Sequence, residues 1–173
     1  RTQAPVVGNG ELKFREIGVF LQPEGPEVLG LEMIYGTTQG LKEKRSILLS
    51  ESLSKKLFDD ENPLGKNVQI NSSADLLVGG VYKDLPKNSK FSNATFFSRL
   101  SLLLGETPEA FNVWNNYNID VYVKVAEHVD QNQLSSLIAE KVKGHYDDWA
   151  KESGQTLFLH PMKDWHLRSE WKD

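Results

Sequence analysis

The order of apolar and polar positions is clearest between residues 45 and 70. Arg45–Leu49 is a short, largely apolar run, which predicts a buried strand. Ser50 follows it, and its hydroxyl can accept a hydrogen bond from the free N–H groups of a first helical turn. Leu53 and Leu57 then recur at helical spacing. The pattern predicts a strand followed by a capped helix with one apolar face.

A proline and a glycine end this helix. Pro63 disfavours helical geometry in the residue before it, so we expect the helix not to pass Asn62. Gly65 supplies the freedom for positive φ that a tight turn uses. Val68–Ile70 then predicts the next strand.

A glycine pair interrupts the following apolar run. Leu76–Tyr82 predicts a strand, and the pair Gly79 and Gly80 inside it indicates a bulge or a close approach of two backbones. A loop is expected over Asp84–Ser89, and a further strand over Ala94–Leu104.

Shorter patterns mark the other elements of the first two thirds. Glu11–Leu21 alternates in part and predicts a strand, whereas Glu27–Tyr35 is expected to form a short helix. Thr107 followed by Pro108 resembles a helix start, because proline suits the first helical position.

The last third predicts a strand–helix–strand unit. Tyr117–Val125 alternates cleanly as a strand, and Asp130 with Gln133 resembles a capping box. Thr156–His160 predicts the closing strand, so that the unit is long enough for a crossover. One helical stripe lies between the two strands: Leu134, Leu137, Ile138, Val142, Tyr146 and Trp149. The elements together predict the α+β class.

Composition narrows the function classes. The chain of 173 residues fits one domain or two small lobes. Its net charge of -4 and its mixed charges lack the basic stripe of nucleic-acid binding, so we expect no nucleic-acid partner. It has no cysteine, and neither a signal-peptide pattern nor an apolar run that could span a membrane is visible in it. Because no methionine precedes Met33, we expect a piece of a longer protein, with membrane helices outside it.

The known phosphate-binding and nucleophile motifs are missing. The sequence has neither GxxxxGK[ST] nor GxGxxG nor GxSxG, which argues against ATP hydrolysis and α/β-hydrolase chemistry. We therefore assign no catalytic, cofactor-binding or metal-binding residue, and we expect no cofactor.

Two acidic or histidine-bearing clusters keep a metal hypothesis open. His160, Asp164, His166 and Glu170 supply imidazole and carboxylate ligands, although no HExxH helix fixes them on one face, and a polar strand end explains them better. Asp59–Glu61 could bind calcium, but EF-hand spacing is absent and a solvated helix end is the favoured interpretation.

The polar C-terminal tail carries two tryptophans. Trp165 and Trp171 stand among basic residues, an arrangement that suits a membrane interface. Packing of Trp165 against the body of the domain is an equally good interpretation.

Seven segments form a recognisable set: Ile47–Leu53, Lys56–Phe58, Asn62–Lys66, Val78–Val81, Asp84–Ser89, Leu159–Met162 and His166–Ser169. They resemble the MacB-like periplasmic core domain of FtsX-type ABC transporter permeases, in the version of Bacteroides-like bacteria. They follow one another in the family's order. Lys90 departs from the family, since many relatives have histidine there, and the part before Gly40 matches poorly.

The resemblance implies a single extracytoplasmic domain, residues 1–173, with two lobes. One lobe would combine residues 1–40 with 117–173 as a porter-like βαβ lobe, and residues 41–116 would form an inserted mixed α/β lobe. The domain would lie on the periplasmic side of the inner membrane, between two transmembrane helices, with Arg1 and Asp173 close together.

The function that the resemblance implies is not catalytic. The domain would transmit ATP-driven conformational change and contact a substrate (peptide, lipid or drug) or a periplasmic partner. Its partners would be a second permease copy and a cytoplasmic ATPase. Two alternatives remain: a small periplasmic metal-dependent hydrolase that uses His160, Asp164 and His166, and a free-standing binding module.

Overall fold

The computed structural model describes residues 1–105, 119–146, 148–154 and 156–162. The chain divides into two compact units. The first unit comprises residues 1–112 with 118–122, and the second comprises residues 113–117 with 123–173. Strands and helices both occur, so the structure is mixed α and β as expected. In the described ranges no helix has the length and apolar character needed to cross a membrane.

A single sheet organises the first unit. Within the described residues it has nine strands, in the order β1-β4-β9-β6-β8-β7-β2-β3, and β5 pairs with β8 beside this path. The strands are β1 Thr2–Gln3, β2 Val6–Gly8, β3 Lys13–Arg15, β4 Gly18–Leu21, β5 Met33–Gly36, β6 Ser46–Ser50, β7 Asn67–Ile70, β8 Ala74–Tyr82 and β9 Phe96–Arg99.

The strand β6 lies at the centre of this sheet. All five of its residues are buried, as expected for a strand covered on both faces. It pairs in parallel with β8 and antiparallel with β9. Ile47 and Leu49 belong to the apolar cluster on one face, and Leu48 belongs to the cluster on the other. The sheet is therefore the middle layer of the unit, with apolar side chains on both faces.

The capped helix was predicted correctly. It is α2, Glu51–Phe58, and the Ser50 hydroxyl accepts a hydrogen bond from the backbone N–H of Leu53 at 3.2 Å. Leu53 and Leu57 are buried against the sheet. Its apolar stripe thus covers one face of the central strands, which fixes the position of the segments at either end of the helix.

The glycine pair produces both predicted features. The register between β6 and β8 shifts at this point, because Ile47 faces Val78 whereas Leu48 faces Gly80, so Gly79 is an extra residue. A Cβ added at Gly79 would lie 2.5 Å from the carbonyl oxygen of Gly40. The bulge is therefore also a point where two backbones touch.

The predicted helix over Glu27–Tyr35 is wrong. Only its first residues are helical, in α1, Gly25–Val28, and Gly30 follows with φ of +65°. The remaining part is the strand β5, in which Met33 faces Tyr82 of β8. A long-range strand pairing, which no local pattern reports, has overridden the helical preference.

Two other predicted strands are shorter than expected. Glu11–Leu21 is divided into β3 and β4, with Glu16 and Ile17 between them. Ala94–Leu104 contains β9 and then a short helix, α3, Ser101–Leu104. The ladder between β4 and β9 ends with the hydrogen bond from the Leu100 N–H to the carbonyl oxygen of Leu21.

The second unit departs furthest from the prediction. Its helix α4, Gln131–Lys143, begins as expected at Asp130, whose carboxylate accepts from the N–H groups of Asn132 and Gln133. It ends at Lys143 and does not continue through Trp149, because the chain turns at Gly144 and a separate helix, α5, spans Asp148–Glu152.

Neither predicted strand beside α4 is formed. Residues 119–125 and 156–160 carry no strand in the structure, although the first of these segments alternates in sequence. A strand needs a hydrogen-bonded neighbour, and no described strand pairs with either segment. Val121 and Val123, on the face expected to be buried, are 83% and 53% exposed. The porter-like βαβ lobe is therefore not confirmed.

Other expectations are not tested. Strands from residues 1–40 share one sheet with strands from residues 46–99, and the lobe boundaries stay a prediction. The predicted helix start at Thr107 lies outside the described residues, as does Asp173, so the closeness of the two termini also stays a prediction.

Candidate functional site

The structure places only one member of the predicted histidine–carboxylate cluster. His160 is half-buried, its ring packs edge-to-face against Phe158 at 6.2 Å between centroids, and its Nε2 is buried without a hydrogen-bond partner. Asp164, His166 and Glu170 lie outside the described residues. The metal-dependent hydrolase therefore stays an untested alternative.

The carboxylate run after α2 lines a groove between α2 and β5. Asp59, Asp60 and Glu61 line it together with Lys55 and with the apolar Ile34 and Val81. In the described part of the chain, no group of three or more histidine or acidic side chains is placed to hold a metal ion. The sequence located these acids at a helix end, but it did not predict the apolar strand that lines the groove with them.

A second polar cluster ties a loop to the start of α2. One Asp84 carboxylate oxygen accepts from the Ser52 backbone N–H at 3.2 Å and from the Ser52 hydroxyl at 2.9 Å. The Ser50 and Ser52 hydroxyls are 3.0 Å apart. A carboxylate at this position is favourable because the first turn of a helix presents free N–H groups. Ser52 and Asp84 thus serve to cap the helix.

Lys90 belongs to a third cluster, together with residues from the segment 119–122. Its Nζ lies 3.1 Å from the Tyr122 hydroxyl and 3.4 Å from an Asp120 carboxylate oxygen. The Phe91 and Tyr122 rings pack edge-to-face, 5.6 Å apart. These contacts hold residues 119–122 against the sheet of the first unit.

This environment keeps Lys90 charged. Burial alone would lower the pKa of Lys90, but the hydrogen bond and charge of Tyr122 and the Asp120 carboxylate outweigh burial and raise that pKa above its ordinary value. Burial raises the pKa of Tyr122, and the Asp120 charge adds to the effect. Both side chains are therefore protonated near neutral pH, and Lys90 is unsuited to act as a general base.

The same cluster lies at the rim of an apolar cavity of about 440 Å³. That volume is in the range of ligand pockets, which hold mostly apolar walls and a few polar groups. The sequence did not reveal it, because it is assembled from residues far apart in the chain. Its apolar walls include Val19, Leu21, Val28, Leu29, Phe91 and Leu100.

The polar side chains of the second and third clusters make structural contacts. The Ser50 hydroxyl caps α2, the Ser52 hydroxyl donates to Asp84, and Lys90 is ion-paired with Asp120. The buried Tyr82 hydroxyl donates to the Ala94 carbonyl oxygen at 2.8 Å, and burial raises its pKa well above 10.0. It is therefore a structural donor.

Sequence comparison identifies no relative. No protein-family model matches the chain, and no curated protein matches it.

Comparison of the structure with solved structures does identify similar folds. A domain of a permease protein from Porphyromonas gingivalis matches 97% of this chain and 79% of its own, with a TM-score of 0.64 and 23% identity. The periplasmic region of MacB from Actinobacillus actinomycetemcomitans matches 91% of this chain and 67% of its own, with a TM-score of 0.55 and 20% identity. The chain therefore has the fold of MacB-like periplasmic domains.

Proposed function

We infer that this chain is the extracytoplasmic domain of an ABC transporter permease. In this role it catalyses no reaction. It transmits the conformational change that a cytoplasmic ATPase drives, and it contacts a substrate or a partner protein on the periplasmic side of the inner membrane. The second permease copy and the ATPase are its expected partners in the full-length protein.

The observation that carries this inference is the fold match over almost the whole chain. The Porphyromonas gingivalis permease domain covers 97% of it. The segment Ser46–Phe91, whose sequence resembles the family, contains the central strand, the capped helix and the Asp84 loop, so the resemblance falls on the best-packed part of the fold. The sequence resemblance and the fold match thus support the same role.

The absence of cysteine makes the location directly measurable. A Lys87→Cys variant, at an exposed loop position, gives the domain a single accessible thiol. In the full-length protein, in intact cells of the source bacterium treated to open the outer membrane, a membrane-impermeant maleimide should label this thiol. Labelling that requires lysis of the inner membrane would place the domain in the cytoplasm and overturn the inference.

A matched control separates location from local accessibility. Ser46→Cys replaces a hydroxyl by a thiol at a residue that is 1% exposed. This thiol should react only after denaturation, in both intact and lysed cells. If it reacts in the folded protein, the domain is not folded as described and the labelling of Lys87→Cys is not interpretable as location.

The coupling part of the inference has its own test. A spin label at position 87 in both permease copies reports the separation of the two domains. Trapping the ATPase with ATP and vanadate should shift this distance distribution, since ligand-driven closure is passed on through rigid-body motion. An unchanged distribution, with ATPase trapping verified, would contradict mechanical transmission.

A further inference from the structure

The strand β5 offers an open edge. It pairs with β8 on one side, and no described strand pairs with its other side. Ile34 and Tyr35 in this strand are 38% and 43% exposed. Unpaired backbone N–H and C=O groups along an edge can accept another strand.

The strand path ends at β1, which has only two residues, and at β3, which is protected in a way that β5 is not. The strand β3 carries Lys13 and Arg15 on either side of Phe14, and charged side chains discourage strand addition. The four residues of β5 are Met-Ile-Tyr-Gly and include no charge. β5 is short and its register is irregular between Met33 and Tyr35, but it lacks the charges that discourage strand addition at β3.

The groove beside β5 carries uncompensated negative charge. Glu51 pairs with Lys55 at 2.8 Å, and Glu61 pairs with Lys66. In the part of the chain that the structure describes, neither Asp59 nor Asp60 forms an ion pair, and both are exposed. A ligand in this groove would thus meet an apolar strand and two free carboxylates.

We propose that β5 and the acidic residues lining this groove form a docking site for an extended segment of a partner protein in which basic residues alternate with apolar ones. The segment adds to the open edge of β5 through backbone hydrogen bonds, the mode known as β-augmentation. Its apolar side chains contact Ile34 and Tyr35, and its basic side chains lie near Asp59 and Asp60. This site goes beyond the proposed function, because that function requires contact with a partner but does not specify the surface of the domain that makes it.

Charge decides between this occupant and a second copy of the chain. Two copies that joined through β5 would bring their acidic residues towards one another, and like charges across an interface are unfavourable. A basic segment removes that repulsion and adds attraction. The charge therefore favours a different, basic partner.

The test measures binding of a defined probe to the 173-residue chain. The probe is a fluorescein-labelled eight-residue peptide in which lysine alternates with valine, and binding is followed by fluorescence anisotropy at low ionic strength. A peptide with glutamate in place of lysine should bind far more weakly. A peptide with proline in place of valine should not bind, because proline cannot donate to a strand ladder.

Two double variants locate the site, and each of them removes two negative charges. Asp59→Asn with Asp60→Asn should weaken binding of the lysine peptide about fivefold to tenfold, as expected for the loss of two exposed charge pairs. Glu11→Gln with Glu43→Gln, exposed residues that do not line the groove, should leave it unchanged. Ile34→Lys, at an exposed position, should abolish binding by placing a charge on the edge.

Amide hydrogen exchange with and without the peptide gives a direct readout at β5. Slower exchange in Met33–Gly36 on binding supports strand addition. Equal affinity for the glutamate peptide, equal weakening in both double variants, or unchanged exchange in β5 would overturn the proposal. Self-association of the chain that Ile34→Lys abolishes would overturn it as well, in favour of a second copy. The maleimide test of location is independent of all these outcomes.

Discussion

At the scale of single residues, the contact between Gly79 and Gly40 is the most demanding feature of the sheet. Each glycine would place an added Cβ about 2.5 Å or less from backbone of the other. Backbone atoms in the middle of a packed sheet cannot move aside as the end of a flexible side chain can. A residue without a side chain is therefore required both at Gly79 in the bulge and at Gly40 in the turn segment that touches it.

Gly79→Ala should lower the free energy of unfolding by about 1 to 3 kcal/mol, the usual cost of overpacking. Urea denaturation followed by circular dichroism measures it. Gly144→Ala is the control, because its added Cβ meets nothing closer than 3.7 Å, and it should be neutral or slightly stabilising. Equal effects of the two substitutions would contradict the close approach.

Tyr82 should make the free energy of unfolding fall as the pH becomes alkaline. Its buried hydroxyl donates to Ala94, and burial raises its pKa well above the value of 10.0 that it has when exposed. Because the folded-state pKa is the higher one, the stability linked to it is complete below pH 10 and is lost as pH rises further, by up to about 1.4 kcal/mol per pH unit.

The Tyr82→Phe variant lacks this titration. It should be about 1 kcal/mol less stable than the parent near neutral pH, since the Ala94 carbonyl loses its donor. Above pH 10 the parent protein should lose this additional stability over the variant. Denaturation curves of both proteins across that range provide the measurement, and parallel pH profiles would refute the role of Tyr82.

At the scale of elements, α2 is held at its first turn by polar groups from two directions. The Ser50 hydroxyl caps it from within the chain, and the Asp84 carboxylate binds it across a loop. The helix has only eight residues, which is too short to be stable alone. The cap and the apolar stripe under it therefore decide whether the helix forms.

Ser50→Ala should destabilise the first unit by about 1 kcal/mol, the typical cost of losing an N-cap. Asp130→Ala removes the equivalent cap of α4, where no residue is buried, and should affect the main unfolding transition much less. Calorimetry of both variants compares them. A larger effect of Asp130→Ala would reverse the assigned importance of the two caps.

Whether the sequence predicted an element depends on how far apart in the chain the interacting residues lie. The elements from Ser46 to Ile70 were predicted correctly because Ser50, Pro63 and Gly65 act on their immediate neighbours. The strand β5 was missed because its partner lies almost fifty residues away. The Lys90 cluster and the cavity beside it were missed for the same reason. Alternation alone predicted a strand over residues 117–125, but no described strand offers residues 119–125 a partner.

At the scale of the whole molecule, the two units differ in how well their described residues are buried. β6 in the first unit is buried throughout, whereas α4 in the second has no buried residue. Local opening costs least where little apolar surface is packed. The two units should therefore exchange amide hydrogens at very different rates.

Hydrogen exchange followed by mass spectrometry should show the slowest amides in Ser46–Ser50 and in the paired part of β8. The amides of Gln131–Lys143 should exchange faster by orders of magnitude, through opening of the second unit alone. Uniform exchange across both units would indicate a single cooperative structure instead.

The parallel pairing of β4 with β9 also sets an order of events during synthesis. Gly18–Leu21 cannot complete its ladder until Phe96–Arg99 has been made, almost eighty residues later. Until then the apolar side chains of β4 stay uncovered, and such surfaces attract other chains. If the domain is threaded across a membrane as an extended polypeptide, its sheet can close only after residue 99 has emerged. Until then, β4 would remain without its parallel partner β9 on the far side of the membrane.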